Sequence, residues 1–399
     1  LAVITPEKTG FVGIIPDKPG IVIALMLVGG AFGLPFVILR PNRIVAGEAL
    51  SIFQSLPVSF MTALACLLVV TALAMSIRIS AALRLGLVAV TLALLVVAAG
   101  MAASFVMPEG NSYARVSPGS GVWVLLAALL LATADCVTRL RPHPLFRIVL
   151  LVFGFAGAAA VLMTGVWDNL SIMKEYANRA DVFWREGARH ITLAVGSLAA
   201  AIVVGLPLGI VAHRVTALRS AVLNTLNMIQ TIPSIALFAI LIAPLGWIAV
   251  NVPGASALGI AGIGAAPAFV ALFLYSLLPV VANTVAGLAG VPQSITEAAK
   301  GVGMTRGQRL LGVEMPLAAP VILTGIRIVL VQNIGMATIA ALIGGGGFGV
   351  FVFQGVGQMA MDLVLLGAIP TVALAFAGAI IFDALIELSA RKEGGSATA

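Results

Sequence analysis

The sequence predicts an all-α, polytopic membrane protein with about ten transmembrane spans. Three observations carry this. Only 9% of the 399 residues are charged, where soluble domains carry about a quarter. Hydrophobic residues make up 61% of the chain, and the mean hydropathy is +1.16. Apolar runs near the length that crosses about 30 Å of hydrocarbon recur along it. A soluble chain this long would lack the polar residues to cover its surface. No ten-residue alternation of the kind a membrane barrel requires is present, so the spans are helices.

The elements follow in chain order. Residues 1–20, with Pro6, Pro16, Pro19, Lys8 and Lys18, are expected to form a short tail before a retained helix, because no small-residue cleavage site closely follows the first apolar run. The expected spans are 21–39, 58–77, 85–107, 121–138, 146–166, 191–212, 221–243, 265–288, 317–342 and 361–388. Segment 244–264 is apolar but broken by proline and glycine. It reads as an outer loop that dips into the membrane or lengthens the next span. Cys66 and Cys136 fall in or beside apolar runs and read as small buried hydrophobes.

Ten spans place both termini on one side. That side holds fourteen Lys and Arg, the other seven, and Arg327 lies within a span. The positive-inside rule therefore assigns the termini and the 289–316 loop to the cytoplasm. Segment 167–190 supplies four of the seven and mixes Trp167, Tyr176, Phe183 and Trp184 with charges of both signs. It reads as an amphipathic linker on the outer surface. Before it lies a five-span N-terminal domain, 1–166; after it, at 191–390, five spans richer in Asn, Gln, Thr and Pro.

The polar stretch EAAKGVGMTRGQRLLGVEMP, Glu297–Pro316, interrupts the second half. Ser294 followed by Glu297, and Thr305 followed by Gln308, are capping-box patterns. Gly303 is a natural helix stop. The pattern predicts two short helices, the second from Arg306 to about Val313, with a glycine joint between them. Such an element fits an ordinary solvated loop, a weak lipid patch through Lys300, Arg306 and Arg309, or a helix-turn-helix. Membrane spans at both ends keep it from a DNA groove. It also fits a rigid docking element for a partner.

Glu297, Ala298 and Ala299, then Gly303, then Val313 and Pro316, resemble the EAA signature of ABC importer permeases, with Met315 where that family carries leucine. The resemblance implies a type I importer permease core over 191–390 and coupling helices at 294–316 that dock in a cleft of a cytoplasmic ATPase subunit. Glu297, Ala298, Ala299, Gly303, Arg306, Val313 and Pro316 are the residues expected to make that coupling. The stretches at 230–246, 271–288, 315–349 and 365–383 resemble the osmoprotectant branch, whose permeases serve glycine betaine, choline and related compounds. The resemblance covers about 185–390. It implies a bacterial inner-membrane protein working with a pair of ATP-binding subunits, an extracytoplasmic binding protein and a second permease, identical or homologous.

Candidates for the pathway or gate are polar or kinking residues in the later spans: Asn224, Asn227, Thr231 and Pro233, Tyr275 and Asn283, and Gln332 and Asn333. Each residue taken singly is more readily a helix-to-helix hydrogen bond. As a group they point to a pathway. The glycine run 344–347 with Phe348 lacks the Lys and Ser/Thr of a phosphate-binding loop. It reads as an unusual outer turn, and Phe348 as a gate or binding-protein contact. Arg327 is expected to snorkel or to pair with Glu314 or a neighbouring chain, Asp383 and Glu387 to face water or the ATPase, and Asp135 to pair with Arg139. His143, His190 and His213 are too scattered for a metal. No aromatic cage for a quaternary ammonium is evident. No cofactor, no nucleic acid and no catalytic residue is expected, only membrane lipid around the spans. The leading expectation is a permease subunit for an osmoprotectant. A type I permease for another small solute such as an amino acid, an ion-coupled secondary carrier and a scaffold without transport stay open.

Overall fold

Backbone groups in hydrocarbon have no water to bond, so apolar runs close their hydrogen bonds within helices. The computed structural model describes residues 16–42, 45–108, 110, 111 and 113–395, the last five through their backbone. The expected tail up to residue 15 with Lys8, and Arg43, lie outside the described residues, as do the side chains of Arg391 and Lys392. Among the described residues nine helices are long and apolar enough to cross a membrane, and a shorter apolar helix covers Lys18–Gly33. The chain divides into two compact units, 1–142 with 154–174 and 143–153 with 175–399.

In the first unit α1 (Lys18–Val28) continues through a π-helical turn to Gly33. The expected span 21–39 is thereby cut short. Pro35 forces Leu34 into the extended region, φ −125° and ψ 153°. Residues Val37–Arg40 form β1, which pairs antiparallel with β2 (Glu48–Leu50) and β3 (Arg115–Pro118) in the order β2-β1-β3. This small sheet departs from the all-α expectation. Its strands are too short for alternation to register in sequence. A short α2 (Ile52–Ser55) leads to α3 (Val58–Ser76), α4 (Ala81–Val106) and α5 (Ser120–Leu140); the division between the units falls within the next two helices, α6 (Pro144–Met163) and α7 (Ser171–Ala177). Ser80 caps α4 by accepting from the Leu83 N–H. The buried Thr71 and Thr91 hydroxyls join α3 and α4 at 2.7 Å. Trp167 Nε1 donates to the Val96 carbonyl at 2.9 Å. Cys136 is buried, but Cys66 is exposed on α3, contrary to expectation. Helix α3 is packed on one face only, and position 66 falls on the other.

Charges meet at one end of this unit. Arg84 is 1% exposed. Its Nη1 lies 2.8 Å from Asp17 Oδ2, and its Nη2 donates to the Ile77 carbonyl. Arg139 reaches Asp17 Oδ2 at 2.7 Å and Asp135 Oδ2 at 2.8 Å. The expected Asp135–Arg139 pair is thus drawn into a four-residue cluster that anchors the start of α1. Burial pushes the Asp17 carboxyl up, but the hydrogen bonds from Arg139 and Arg84 outweigh it and hold the group below the usual carboxylate range. A carboxyl depressed on folding stabilises at pH values above its ordinary range, and that stability is lost as pH falls through the folded value. Asp17→Asn leaves the buried Arg84 with only the more distant Asp135, 3.8 Å away, as counter-charge. It is expected to cost on the order of 3 kcal/mol and to remove the acid-side loss of stability. Thermal unfolding of detergent-solubilised protein between neutral and acid pH measures both. Equal melting of variant and parent at neutral pH would refute the assignment.

The second unit is built around α11 (Ala265–Ala289), which packs on α8 (Ala180–Arg214) and α14 (Met315–Ile339). Gly205 and Gly209 of α8 sit against Val280, Val281 and Thr284 of α11, where a Cβ would overlap its neighbours. Small residues let membrane helices approach this closely. Segment 167–190 becomes a turn, α7 and the first turns of α8. Trp184 is exposed, and its Nε1 donates to the Tyr176 hydroxyl at 3.1 Å. Phe183 packs on Phe348 and Phe351.

The expected span 221–243 is two helices. Helix α9 (Thr216–Thr231) stops at Ile232, and α10 (Ser234–Asn251) starts behind Pro233. Proline bars the preceding residue from the helical region, which sets the break. Helix α10, not α9, has the length and hydropathy of a span. Residues 244–251 therefore lengthen the preceding span, with Pro244 inside it, rather than the next one. Then follow α12 (Gln293–Gly301), α13 (Arg306–Arg309), α14, α15 (Gly349–Gly357) and α16 (Met361–Gly395).

Candidate functional site

The polar stretch is structured throughout. Helix α12 begins at Gln293 behind Pro292, whose φ of −57° and ψ of 132° make it the N-cap. The expected Ser294–Glu297 box does not form. Ser294 lies inside the first turn, and Glu297 Oε1 accepts from Gln293 Nε2 at 2.8 Å. At the other end Gly303 has φ +85°. Its N–H donates to the Lys300 carbonyl at 3.0 Å, and the Met304 N–H to the Ala299 carbonyl at 3.1 Å. This paired closure is the Schellman motif, and it needs the left-handed residue that glycine supplies most easily. The Thr305–Gln308 box forms as expected. The Gln308 N–H donates to Thr305 Oγ1 at 3.3 Å, and the Thr305 N–H to Gln308 Oε1 at 2.9 Å.

The second expected short helix is not separate. Helix α13 passes through a π-helical turn at Leu310–Glu314 directly into α14. Pro316 closely follows the π-helical turn, an irregularity of the kind found where a proline interrupts the hydrogen-bond ladder of a helix. Residues Arg306–Ile343 thus form one continuous rod. The element is one free-standing helix, α12, joined by a glycine turn to the head of a span.

Helix α12 has two unlike faces. Gln293, Thr296, Glu297 and Lys300, spaced three and four apart, line an open polar cleft of about 410 Å³. His213, Arg214, Arg309 and Glu314 line its opposite side. Ile295, Ala298 and Val302 point outward instead, Val302 at 80% exposure. Leu311, 73% exposed, adds to the outward apolar surface. Of the expected coupling residues, Glu297, Ala298, Gly303, Arg306 and Pro316 are exposed, Val313 is half-buried and Ala299 is buried.

Glu314 was missed as a site residue. It is 4% exposed. Its Oε2 accepts from Arg214 Nη2 at 2.5 Å and its Oε1 from Arg309 Nε at 2.7 Å. Arg327 does not pair with it. Arg327 Nη1 meets Asp383 Oδ1 at 2.7 Å, tying α14 to α16. Glu387 meets Arg147 at 3.0 Å. The two carboxylates expected to face water or an ATPase are thus engaged within the unit, because α14 and residues 143–153 bring arginines to them.

The structure separates the pathway candidates into two sets. Asn224, Asn227 and Thr231 are exposed along one face of α9, with Pro233 exposed just beyond. The others are engaged inside the helix bundle. Tyr275 is buried. Its hydroxyl donates to the Ile232 carbonyl at the α9–α10 break, and its own carbonyl accepts from Gln230 Nε2 at 2.8 Å. Asn333 is fully buried. Its Nδ2 donates to Ser197 Oγ and Ser276 Oγ, each at 2.9 Å, so one side chain ties α8, α11 and α14 together. Asn283 donates to the Pro279 carbonyl and packs on Gly325. Gln332 is half-buried, with Nε2 3.5 Å from Met336 Sδ.

Phe348 is buried against His190 and Phe183. The glycine run before it is a left-handed turn: Gly344, Gly346 and Gly347 have φ of 76°, 78° and 85°. Glu186 Oε2 accepts from the Gly347 N–H at 2.8 Å, and His190 Nδ1 from the Phe348 N–H at 3.3 Å. These two α8 side chains, one turn apart, were also missed, since their partners lie about 160 positions away. Among the described residues no group of three His, Cys, Asp or Glu side chains has the arrangement of a metal site.

Residues 201–394 match the family of binding-protein-dependent transport system inner membrane components. Residues 17–173 match the N-terminal domain of the ABC transporter permease YehY. The choline transport system permease protein OpuBB of Bacillus subtilis (strain 168) is 37% identical over 203 residues, 51% of this chain and 84% of its own. The osmoprotectant import permease protein OsmW of Salmonella typhimurium is 41% identical over 198 residues, 50% of this chain and 85% of its own. OsmY of the same organism, also an osmoprotectant import permease protein, is 37% identical over 243 residues, 60% of this chain and 94% of its own. Permeases of this kind leave ATP hydrolysis to a separate subunit and work with a substrate-binding partner and a second permease. With its apolar helices and its EAA element, the chain belongs to the family of binding-protein-dependent ABC importer permeases, in the branch that holds the osmoprotectant permeases.

Proposed function

We propose that the chain is the membrane-spanning subunit of an ATP-driven importer for choline, glycine betaine or a related osmoprotectant. The substrate class comes from the relatives, one a choline permease and two osmoprotectant permeases. The observation that carries the coupling role is α12. A helix that leaves Ile295, Ala298 and Val302 exposed, with Ala299 its one buried residue, is built to be covered by another protein. The partner is a pair of cytoplasmic ATP-binding subunits; with the shorter Lys18–Gly33 helix counted as a tenth crossing beside the nine longer ones, both termini are cytoplasmic, an orientation that the excess of Lys and Arg on that side supports. Glu297, Ala298, Ala299, Gly303, Arg306, Val313 and Pro316 form the docking and transmitting segment.

The polar face of α9, with Asn224, Asn227 and Thr231, is exposed directly ahead of the α10 span. A second permease subunit, identical or homologous, covers it, and the pathway runs along that face. Tyr275, Asn283, Gln332, Asn333, Pro233 and Phe348 shape and brace the helices around it. Residues 1–166 form an extension ahead of the 191–390 core, with 167–190 as linker. An extracytoplasmic binding protein selects the solute.

The test is uptake by the complex reconstituted in vesicles with its ATP-binding subunit and binding protein. Labelled choline or glycine betaine is expected to enter only with ATP. Entry at full rate without the ATP-binding subunit would overturn the coupled mechanism. ATP-driven uptake of an amino acid in preference to both would overturn the substrate assignment.

A further inference from the structure

Helices α8 and α14 run antiparallel and are bonded to each other, or to the segments that end α14, at three levels. At the first, Arg214 in the last turn of α8 holds Glu314 at the head of α14. At the second, Asn333 bonds Ser197. At the third, Glu186 and His190 hold the backbone N–H groups of Gly347 and Phe348, just past the end of α14. Glu186 and Arg214 are 28 residues apart in one helix, a distance of about 42 Å at the helical rise. The pair therefore reaches from the coupling segment to the glycine turn.

The first level differs from the others. Glu314 is buried, and both its oxygens are taken by arginines: Arg214 of α8, and Arg309 five residues earlier in the same continuous helix. Helix α12 itself is separated from the body by the polar cleft, whose far wall is His213, Arg214, Arg309 and Glu314. Of the residues of α12 itself, Ala299 is the one that is buried. A charge-assisted bond holds a fixed geometry where packing does not.

We propose that Glu314 is a positioning residue for coupling: oriented by Arg309 and held by Arg214, it makes a displacement of α12, carried through the glycine turn into the head of α14, move α8 together with α14. The proposal rests on the importer-permease reading of this chain. In it, the carboxylate bears no part in solute binding or ATP hydrolysis. Without the grip, a docked ATP-binding subunit moves α14 alone, and hydrolysis proceeds with little transport.

The experiment uses the full reconstituted complex and compares the parent with Glu314→Gln, Arg214→Gln and the double variant. Solute transported per ATP hydrolysed is the readout, beside co-purification of the ATP-binding subunit. Each single variant is expected to retain the ATP-binding subunit and its hydrolysis while transport per ATP falls about tenfold. The double variant is expected to fall no further than Glu314→Gln alone, because the Arg214–Glu314 bond is already lost there. Transport per ATP equal to the parent in Arg214→Gln, or losses that multiply in the double variant, overturns the proposal. Should Glu314→Gln fail to accumulate in the membrane, Arg214→Gln decides alone, since that side chain is 35% exposed and its loss spares the core. A parent complex that transports without ATP would instead overturn the importer reading, so the two failures are distinguishable.

Discussion

Replacing Val302 with aspartate is expected to abolish assembly with the ATP-binding subunit while the permease remains folded in the membrane. Val302 is 80% exposed and packs on nothing the chain needs for folding. A surface change of this kind alters stability by only a few tenths of a kcal/mol. On the proposed docking, the same position enters an apolar cleft. There the carboxylate loses its water without gaining a counter-charge, at a cost of several kcal/mol. A loss of about 3 kcal/mol corresponds to roughly a hundredfold in affinity. Val302→Leu keeps the surface apolar and is expected to assemble like the parent. Co-purification and stimulation of ATP hydrolysis are the measurements. An aspartate variant that keeps both places the docking surface elsewhere.

A graded series at Gly303 is the second large effect. The residue has φ +85°, and no atom lies where a Cβ would go. Any loss on substitution therefore comes from backbone conformation and not from crowding. Asparagine visits the left-handed region readily, alanine less so, and β-branched residues least. The expected order of transport activity is Gly, then Asn, then Ala, then Ile. Isoleucine suffers most, since about 1–2 kcal/mol of strain opens the two closing bonds at Ala299 and Lys300. The turn then no longer fixes the angle between α12 and the head of α14. Uptake normalised to the amount of protein in the membrane measures the series. Activity that follows side-chain volume, with alanine above asparagine, would refute a backbone role.

Much of the coupling element was legible because its determinants are local. A left-handed glycine and a capping box act over three to five residues, and both appear in sequence as spacing. The same rule misled at Ser294, where Pro292 two residues earlier started the helix first. It misled again after Arg309, where a π-helical turn at Leu310–Glu314 carries the helix through Pro316, so the second short helix ran on into the span. Pathway residues were legible only as a polar set. Which of them face outward, as Asn224 and Asn227 do, and which tie helices together, as Asn333 does, depends on neighbours more than fifty positions away.

By itself the sequence determined that this chain spans a membrane many times, where a rigid polar element interrupts it, and to which permease family it belongs. Those properties follow from composition, from run length and from patterns closed within a few residues. Only the tertiary structure decided the charge pairs. Asp17 meets Arg84 and Arg139 across 67 and 122 positions, Arg214 meets Glu314 across 100, and Arg327 chooses Asp383 over Glu314. A buried charge takes whichever partner the packed helices bring within hydrogen-bond reach. That choice is made by helix packing in three dimensions, which sequence spacing does not encode.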